Sequence, residues 1–395
     1  MTESLGNERR VSSGNRDLVL ISGYYGFGNL GDEAILEEIT DELKKLVPAE
    51  KIVVLSNTPV ETAKTFGVRS ISRWKTIEMI RLLAQARLFI SGGGGLFQDV
   101  VSVRSPVFYG TQIGLARLCG AKAIIYAQGI GPLQSGAGKF FARQAFSMCD
   151  KVSVRDQKSL DILTQWRLKA ELTADPVWCL EPKPLPKELD ELLKRSNKQK
   201  KVEGLVVGLS LRVSGNFSKQ NVSALVEAMA QALPESARIM PLVLQLGQDF
   251  EILEEFERQW QAKGREVVLV DTTAIERPSQ WITLLSKLDL VVTMRLHGAI
   301  MALIAALPTA AIAYDPKVSH IARQFDLPTL NLTKEGEPEG GVANWVAALK
   351  SAVDNGPSMA KSAREKVEAA RNLARQNFNI LDRILDMQRD PIEPQ

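Results

Sequence analysis

Apolar runs of three or four residues recur through the first half of the chain at 19–21, 52–55, 88–90, 123–126 and 151–154, separated by stretches with helical spacing. Runs that are apolar throughout and alternate with helices predict parallel strands covered on both faces. A second set follows at 205–209, 239–246, 266–270, 290–293 and 309–313. Between the two sets, residues 181–203 are rich in Lys, Glu and Pro and carry no strand period, which predicts a linker with a solvated helix. The pattern therefore divides the chain into a disordered polar tail (1–16), a first α/β domain (17–185), a linker (186–203), a second α/β domain (204–357) and a long charged helix (358–390) expected to pack back on the first domain. Two such domains leave a cleft between the carboxyl ends of their parallel strands, where sheets of this kind bind ligands.

Composition narrows what the cleft can serve. The 395 residues, 45% hydrophobic, suffice for two cores. A formal net charge of +3, with bases interspersed among acids, argues against a nucleic-acid partner. Cys119, Cys149 and Cys179 form no C-x-x-C pair and leave one thiol over under any pairing, which points to a reducing, cytoplasmic compartment. The first sixteen residues carry Arg9, Arg10 and Arg16 but no apolar h-region, so no secretion signal is expected. The nearly uncharged stretch 298–314 is about 17 residues long and broken by Pro308, and it reads as a buried helix (299–306) followed by a buried strand rather than a membrane span.

The candidate chemistry lies where predicted strands end. Gly23, Gly26, Gly28 and Gly31 stand between a strand and a helix with acids in its first turn. Three of them fit G-x-G-x-x-G, but Asn29, Asp32 and Glu33 would set negative charge and an amide against a pyrophosphate. The loop is therefore expected to take a polar, hydroxyl-bearing ligand, with Asp32 either bonding it or capping the helix. A second run, Gly92 to Gly95, follows the strand 88–90 and predicts a tight turn or a backbone pressed against a ligand. Gln128, Gly129 and Gly131 form a third glycine loop after the strand 123–126. Arg155 ends the next strand, where its planar fork could hold a carboxylate or phosphate or pair locally with Asp156. Asp175, before Pro176, reads as a turn starter. In the second domain Arg295 and His297 occupy a strand-to-helix loop, where anions are favoured and an imidazole can move a proton near neutral pH. Lys317 follows the neighbouring strand and supplies a third cation; the other histidine, His320, falls inside a helical pattern. No metal-ligand spacing, Walker A loop or G-x-S-x-G turn occurs.

The segments 23–33, 91–99, 154–156 and 294–298, taken in order, resemble those of the polysaccharide pyruvyl transferases, most closely the CsaB type. The resemblance runs from about residue 18 past Lys317. It implies a GT-B-like fold, α/β with two Rossmann-like domains whose parallel sheets face a cleft. It also implies transfer of a pyruvyl group from phosphoenolpyruvate to two hydroxyls of one sugar, with a cyclic ketal formed and phosphate released. The implied acceptor is an N-acetylmannosamine residue of a lipid-linked cell-wall glycan precursor whose ketal later anchors surface-layer proteins. The enzyme would need no cofactor and would work in the cytoplasm at the inner membrane face, with a homo-oligomer left open. By the same resemblance Arg155, Arg295, His297 and Lys317 hold the donor, with His297 and Arg295 catalytic and Arg143 as the alternative to Arg155. Gly28, Asn29, Asp32, Gly93 and Gly94 line the acceptor side. The competing expectations are a GT-B nucleotide-sugar glycosyltransferase and a non-catalytic glycan-binding protein.

Overall fold

Runs such as LVLIS and IVVLS bury every side chain, as interior strands of a sheet covered on both faces must. The computed structural model describes residues 16–100, 102–191, 193 and 204–386, so nearly all of the expected tail and much of the expected linker lie outside the described residues. The first sheet contains β1 (Leu18–Ser22), β2 (Ile52–Ser56), β3 (Arg69–Ser72), β4 (Ala86–Ser91), β5 (Gly94–Phe97), β6 (Lys122–Ile130), β7 (Lys151–Val154) and β8 (Glu171–Leu172). Their order is β3-β2-β1-β4-β6-β7-β8, with β5 paired to β6. The second sheet contains β9 (Val206–Ser210), β10 (Arg238–Pro241), β11 (Leu290–Thr293), β12 (Thr309–Ala313) and β13 (Thr329–Asn331), in the order β10-β9-β11-β12-β13. Every pairing between these strands is parallel, with Ile21 opposite Ile90 and Leu209 opposite Val292 in the two central pairs. In each sheet the order reverses beside the first strand, and this opens a crevice at the carboxyl ends.

Several elements depart from the sequence pattern, each for a local reason. The segment RSIS of β3 lies at the sheet edge, largely uncovered, and so shows no continuous apolar run. Within the glycine run, Gly94–Phe97 is a strand on β6, so the second glycine cluster belongs partly to the sheet. The third cluster also begins inside a strand, since β6 continues through Ile130. The expected strand 239–246 stops at Pro241, an edge position that tolerates proline, and residues 242–249 turn toward the first domain. Of the expected strand 266–270 only a bridge from Val267 to Ile239 forms. In the expected linker, Leu189 and Leu193 are buried with Leu185, so the described part packs on the core instead of standing in solvent.

One apolar cluster crosses both domains, joining Ile35 and Ile39 of the helix Leu30–Leu46 to Trp281, Ile282 and Ile300 of the second domain. A buried carboxylate fixes the same helix to the same neighbour. Glu37 accepts from Ser279 N at 2.8 Å, Ser279 Oγ at 2.7 Å, Lys183 Nζ at 2.9 Å and Arg277 Nη1 at 3.1 Å. The helix Gly356–Asp386 runs back over the first domain, where Asn377 accepts from Ser153 Oγ at 2.8 Å and donates to Ala174 O at 3.0 Å. Among the described residues no helix is long and apolar enough to cross a membrane.

Candidate active site

The loop after β1 leads into the helix Leu30–Leu46 through Asn29, whose side chain caps the helix by accepting from Gly31 N at 3.2 Å. Capping by Asn29 leaves Asp32 in the first helical turn. Glu33 folds back to accept from Gly26 N at 2.7 Å and holds the loop shut on its own backbone. Leu30 N donates to Leu244 O of the second domain at 2.9 Å, so the loop is docked across the cleft. Gly31 is a glycine because a Cβ there would stand 1.9 Å from Nδ1 of His297. The imidazole of one domain thus rests directly on the helix start of the other.

Asp175 is the hub of the cluster. Its Oδ2 accepts from Arg155 Nη1 at 2.5 Å and lies 3.3 Å from His297 Nε2, while Oδ1 accepts from Val177 N at 3.2 Å. Arg155 also lies across Gly129, where a Cβ would meet its Nε at 2.9 Å, and a Cβ on Gly94 would meet Oδ1 of Asp32 at 2.9 Å. Lys317 reaches over from the helix Pro316–Gln324 until its Nζ stands 3.0 Å from where a Cβ of Gly95 would be. The glycines after β4 and within β6 therefore make room for charged side chains to approach the backbone.

The electrostatics are unequal. Burial alone would raise the proton affinity of Asp175, but His297 and Arg155 hold it well below the usual carboxylate range. Asp32 is pushed up to about 6 by burial, opposed by His297, Arg155 and Lys317 and reinforced by Asp175. Burial, and then the like charge of Arg155, lower the proton affinity of Lys317. Among the described residues Lys317 takes part in no ion pair, whereas Arg155 is spent on Asp175. Arg155 and Lys317 thus face the locked Asp175 and an Asp32 pushed up to about 6, with Asp315 and Asp156 also acting on Lys317. No group of three or more His, Cys, Asp or Glu among the described residues is placed to hold a metal ion.

The structure brings Asp32, Gly94, Arg155, His297 and Lys317 together. It does not bring Arg295 into that group. The Arg295 backbone is capped by Thr293 Oγ1 at 2.9 Å, and its buried guanidinium bonds Asp249 and, at 3.0 Å, Gln245. Asp249 in turn accepts from Leu244 N at 3.0 Å and Gln245 N at 2.8 Å, so Arg295 shapes the very loop that docks on Leu30. Arg143 is exposed on the helix Gly136–Ser147, and His320 is exposed on the helix Pro316–Gln324. Gly28 faces Leu246 of the second domain, and Gly93 is packed against the carbonyls of Tyr126 and Ala127. Sequence reasoning gave Asp175 only a turn. It does start the turn Pro176–Cys179, with one oxygen, and its other oxygen organises the cluster. The available signal was an acid three residues past the end of β8, the strand that pairs with β7, whose own end carries Arg155.

Residues 29–316 match the family model described as polysaccharide pyruvyl transferase. Solved structures of similar architecture include a UDP-N-acetylglucosamine 2-epimerase from Neisseria meningitidis bound to UDP-N-acetylglucosamine, with 9% identity over 94% of this chain and 99% of that one and a TM-score of 0.62. A glycosyltransferase from Rickettsia africae ESF-5 aligns with 12% identity over 94% and 99% of the chains at a TM-score of 0.58. The Anabaena protein HepE, solved with UDP-glucose, aligns with 12% identity over 93% and 98% at 0.54. At these identities the likeness is one of fold, and the fold is the GT-B-like pair of domains.

Proposed function

The chain belongs to the polysaccharide pyruvyl transferase family, and from that premise we propose that the Asp175 cluster binds phosphoenolpyruvate and passes its pyruvyl group to two hydroxyls of an acceptor sugar. The observation that carries the reading is Lys317, a cation without an ion pair among the described residues whose proton affinity burial lowers, set beside the Arg155–Asp175 pair in the cleft. A buried ammonium without an ion pair is costly until an anion enters, and phosphoenolpyruvate brings both a carboxylate and a phosphate. Binding of the donor supplies that anion and fixes the enol carbon beside His297.

Ketal formation then takes a proton from each of two hydroxyls, adds one to the methylene and sends one away on the phosphate. One leaves the first sugar hydroxyl as its oxygen bonds the central carbon of the donor, and one ends on the methylene, which becomes methyl. The second hydroxyl attacks the same carbon as the C–O bond to phosphate breaks, and its proton departs with the phosphate. His297, oriented by Asp175, is the proposed acid toward the methylene. Asp32, with a proton affinity near 6, is the proposed base toward the hydroxyl. Arg295 positions the interdomain loop. Gly28, Asn29, Gly93 and Gly94 shape the acceptor wall through backbone placement, and Asp32 supplies its polar side chain.

The proposed acceptor is an N-acetylmannosamine residue of a lipid-linked cell-wall glycan precursor, met at the cytoplasmic face of the membrane, with the ketal serving later to anchor surface-layer proteins. The test is to incubate the purified protein with phosphoenolpyruvate and a panel of glycans. Phosphate release matched by mass gain on a glycan supports the reading. Release of nucleoside diphosphate from a sugar nucleotide, without phosphate from phosphoenolpyruvate, would replace it with glycosyl transfer.

A further inference from the structure

Beside the glycine loop, at the ends of β1 and β3, stands a group of aromatic rings that the pyruvyl chemistry does not use. Tyr24 and Phe27 of the loop stack at 4.2 Å with an interplanar angle of 8°. Trp74 follows β3 and is 62% exposed. Its centroid lies 5.7 Å from that of the partly buried Phe108. Arg73 is buried among them, its guanidinium carbon 5.1 Å from the ring centroid of Phe27, 5.3 Å from Trp74, 4.6 Å from Phe108 and 5.6 Å from Tyr109. That guanidinium donates to Gly23 O at 3.0 Å and to Tyr109 Oη at 3.2 Å, so it is tied to the glycine loop as well as to the rings. Stacking on a fixed cation holds the rings in place.

An exposed indole on a rigid base, next to a substrate loop, is suited to one kind of ligand. The Trp74 Nε1–H is taken by Asn57 Oδ1 at 3.3 Å, and Asn57 N donates to Tyr25 O at 3.0 Å, which fixes the indole edge against the loop. The open face is apolar, and at its rim the exposed Asn57 amide, whose Nδ2 also donates to Gly26 O at 3.4 Å, keeps a second N–H and an oxygen lone pair to meet hydroxyls. A pyranose ring has this same division, with axial C–H groups on a face and hydroxyls around the edge. Arg73, the cation nearest the rings, is covered and bonded, which disfavours an anionic occupant.

We propose that Trp74 and Asn57 form a subsite for a second sugar, the pyranose adjacent to the one that receives the pyruvyl group. The inference rests on the pyruvyl-transfer reading for its location. It adds that the enzyme selects an extended acceptor over a single sugar.

The experiment compares wild type with Trp74→Ala and Trp74→Phe, with thermal unfolding as a check that each is folded. Two probes are used, the methyl glycoside of N-acetylmannosamine and a disaccharide bearing N-acetylmannosamine at its non-reducing end. Binding is measured by calorimetry without donor, and turnover with phosphoenolpyruvate. The expected result is that wild type prefers the disaccharide, that Trp74→Ala weakens disaccharide binding about tenfold, and that Trp74→Phe retains part of it. Binding of the glycoside and the KM for phosphoenolpyruvate should stay unchanged. Equal binding of the two probes by wild type, or equal loss of both in Trp74→Ala, overturns the subsite. Loss of sedimentation with phosphatidylglycerol vesicles in Trp74→Ala, with disaccharide binding intact, also overturns it and assigns Trp74, with the exposed Ile77 and Ile80, to a membrane contact. Disaccharide binding that depends on Trp74, without any turnover of phosphoenolpyruvate, would leave the subsite standing and remove the pyruvyl reading.

Discussion

Two clusters of charge join the domains, and they are built to opposite ends. At Glu37 one buried carboxylate receives four donors, from Ser279, Lys183 and Arg277, and Asp41 neutralises the two cations further at 2.8 Å and 3.2 Å. Every charge there has a partner. At Asp175 the carboxylate is locked by Arg155 and faces His297, Lys317 is left without an ion pair among the described residues, and Asp32 titrates near 6. A satisfied cluster stabilises one arrangement of the domains, and an unsatisfied one is poised for a ligand. One interface thus holds a saturated charge cluster and an unsaturated one.

The comparison breaks first at His297. His297→Ala is expected to lower kcat by about 10²- to 10⁴-fold at saturating phosphoenolpyruvate, the usual worth of a positioned acid or base, with the unfolding midpoint nearly unchanged. Steady-state kinetics alongside urea unfolding checks both halves. The opposite pattern is expected at Glu37. Glu37→Ala leaves Ser279 N and Oγ without their acceptor and Lys183 and Arg277 with Asp41 alone, and should cost about 1–3 kcal/mol of stability in urea unfolding. Because that loss loosens the hold between domains, KM should rise before kcat falls.

A pH profile sharpens the contrast. Asp32 must be ionised to accept a proton, so kcat/KM should rise with pH through about 6, and the limb should vanish in Asp32→Asn. The stability effect has the opposite sign. A carboxyl whose folded proton affinity is raised by burial favours folding below its ordinary value and loses that contribution as pH rises through about 6, so Asp32→Asn should unfold later than wild type at pH 8. The smallest effect is expected at the exposed Arg143, where Arg143→Ala should leave kcat/KM within about twofold, as for surface changes away from special features.

Much of this was legible in the chain. Apolar runs with period-free burial located the central strands, and glycines and cations at strand ends located the cleft, because both signals are local. His297, Lys317 and Arg155 were found that way. What sequence could not supply was long-range partnership. Asp175 looks like any Asp-Pro turn until β8 sets it beside Arg155 and the second domain delivers His297. Arg295 reads as a cleft cation for the same reason, since Asp249 lies beyond the expected strand 239–246 and no local pattern marks its approach to Arg295. Edge strands such as β3 and β13 were missed because few of their residues are buried and no apolar run marks them.

The most direct test of the central claim is calorimetric titration of phosphoenolpyruvate into wild type and Lys317→Ala, with UDP-glucose titrated into wild type in parallel. The account predicts that phosphoenolpyruvate binds wild type and binds Lys317→Ala at least tenfold more weakly, about 1.4 kcal/mol or more, while UDP-glucose shows no heat of binding. Equal affinity for phosphoenolpyruvate in both proteins, or binding of UDP-glucose alone, would contradict it.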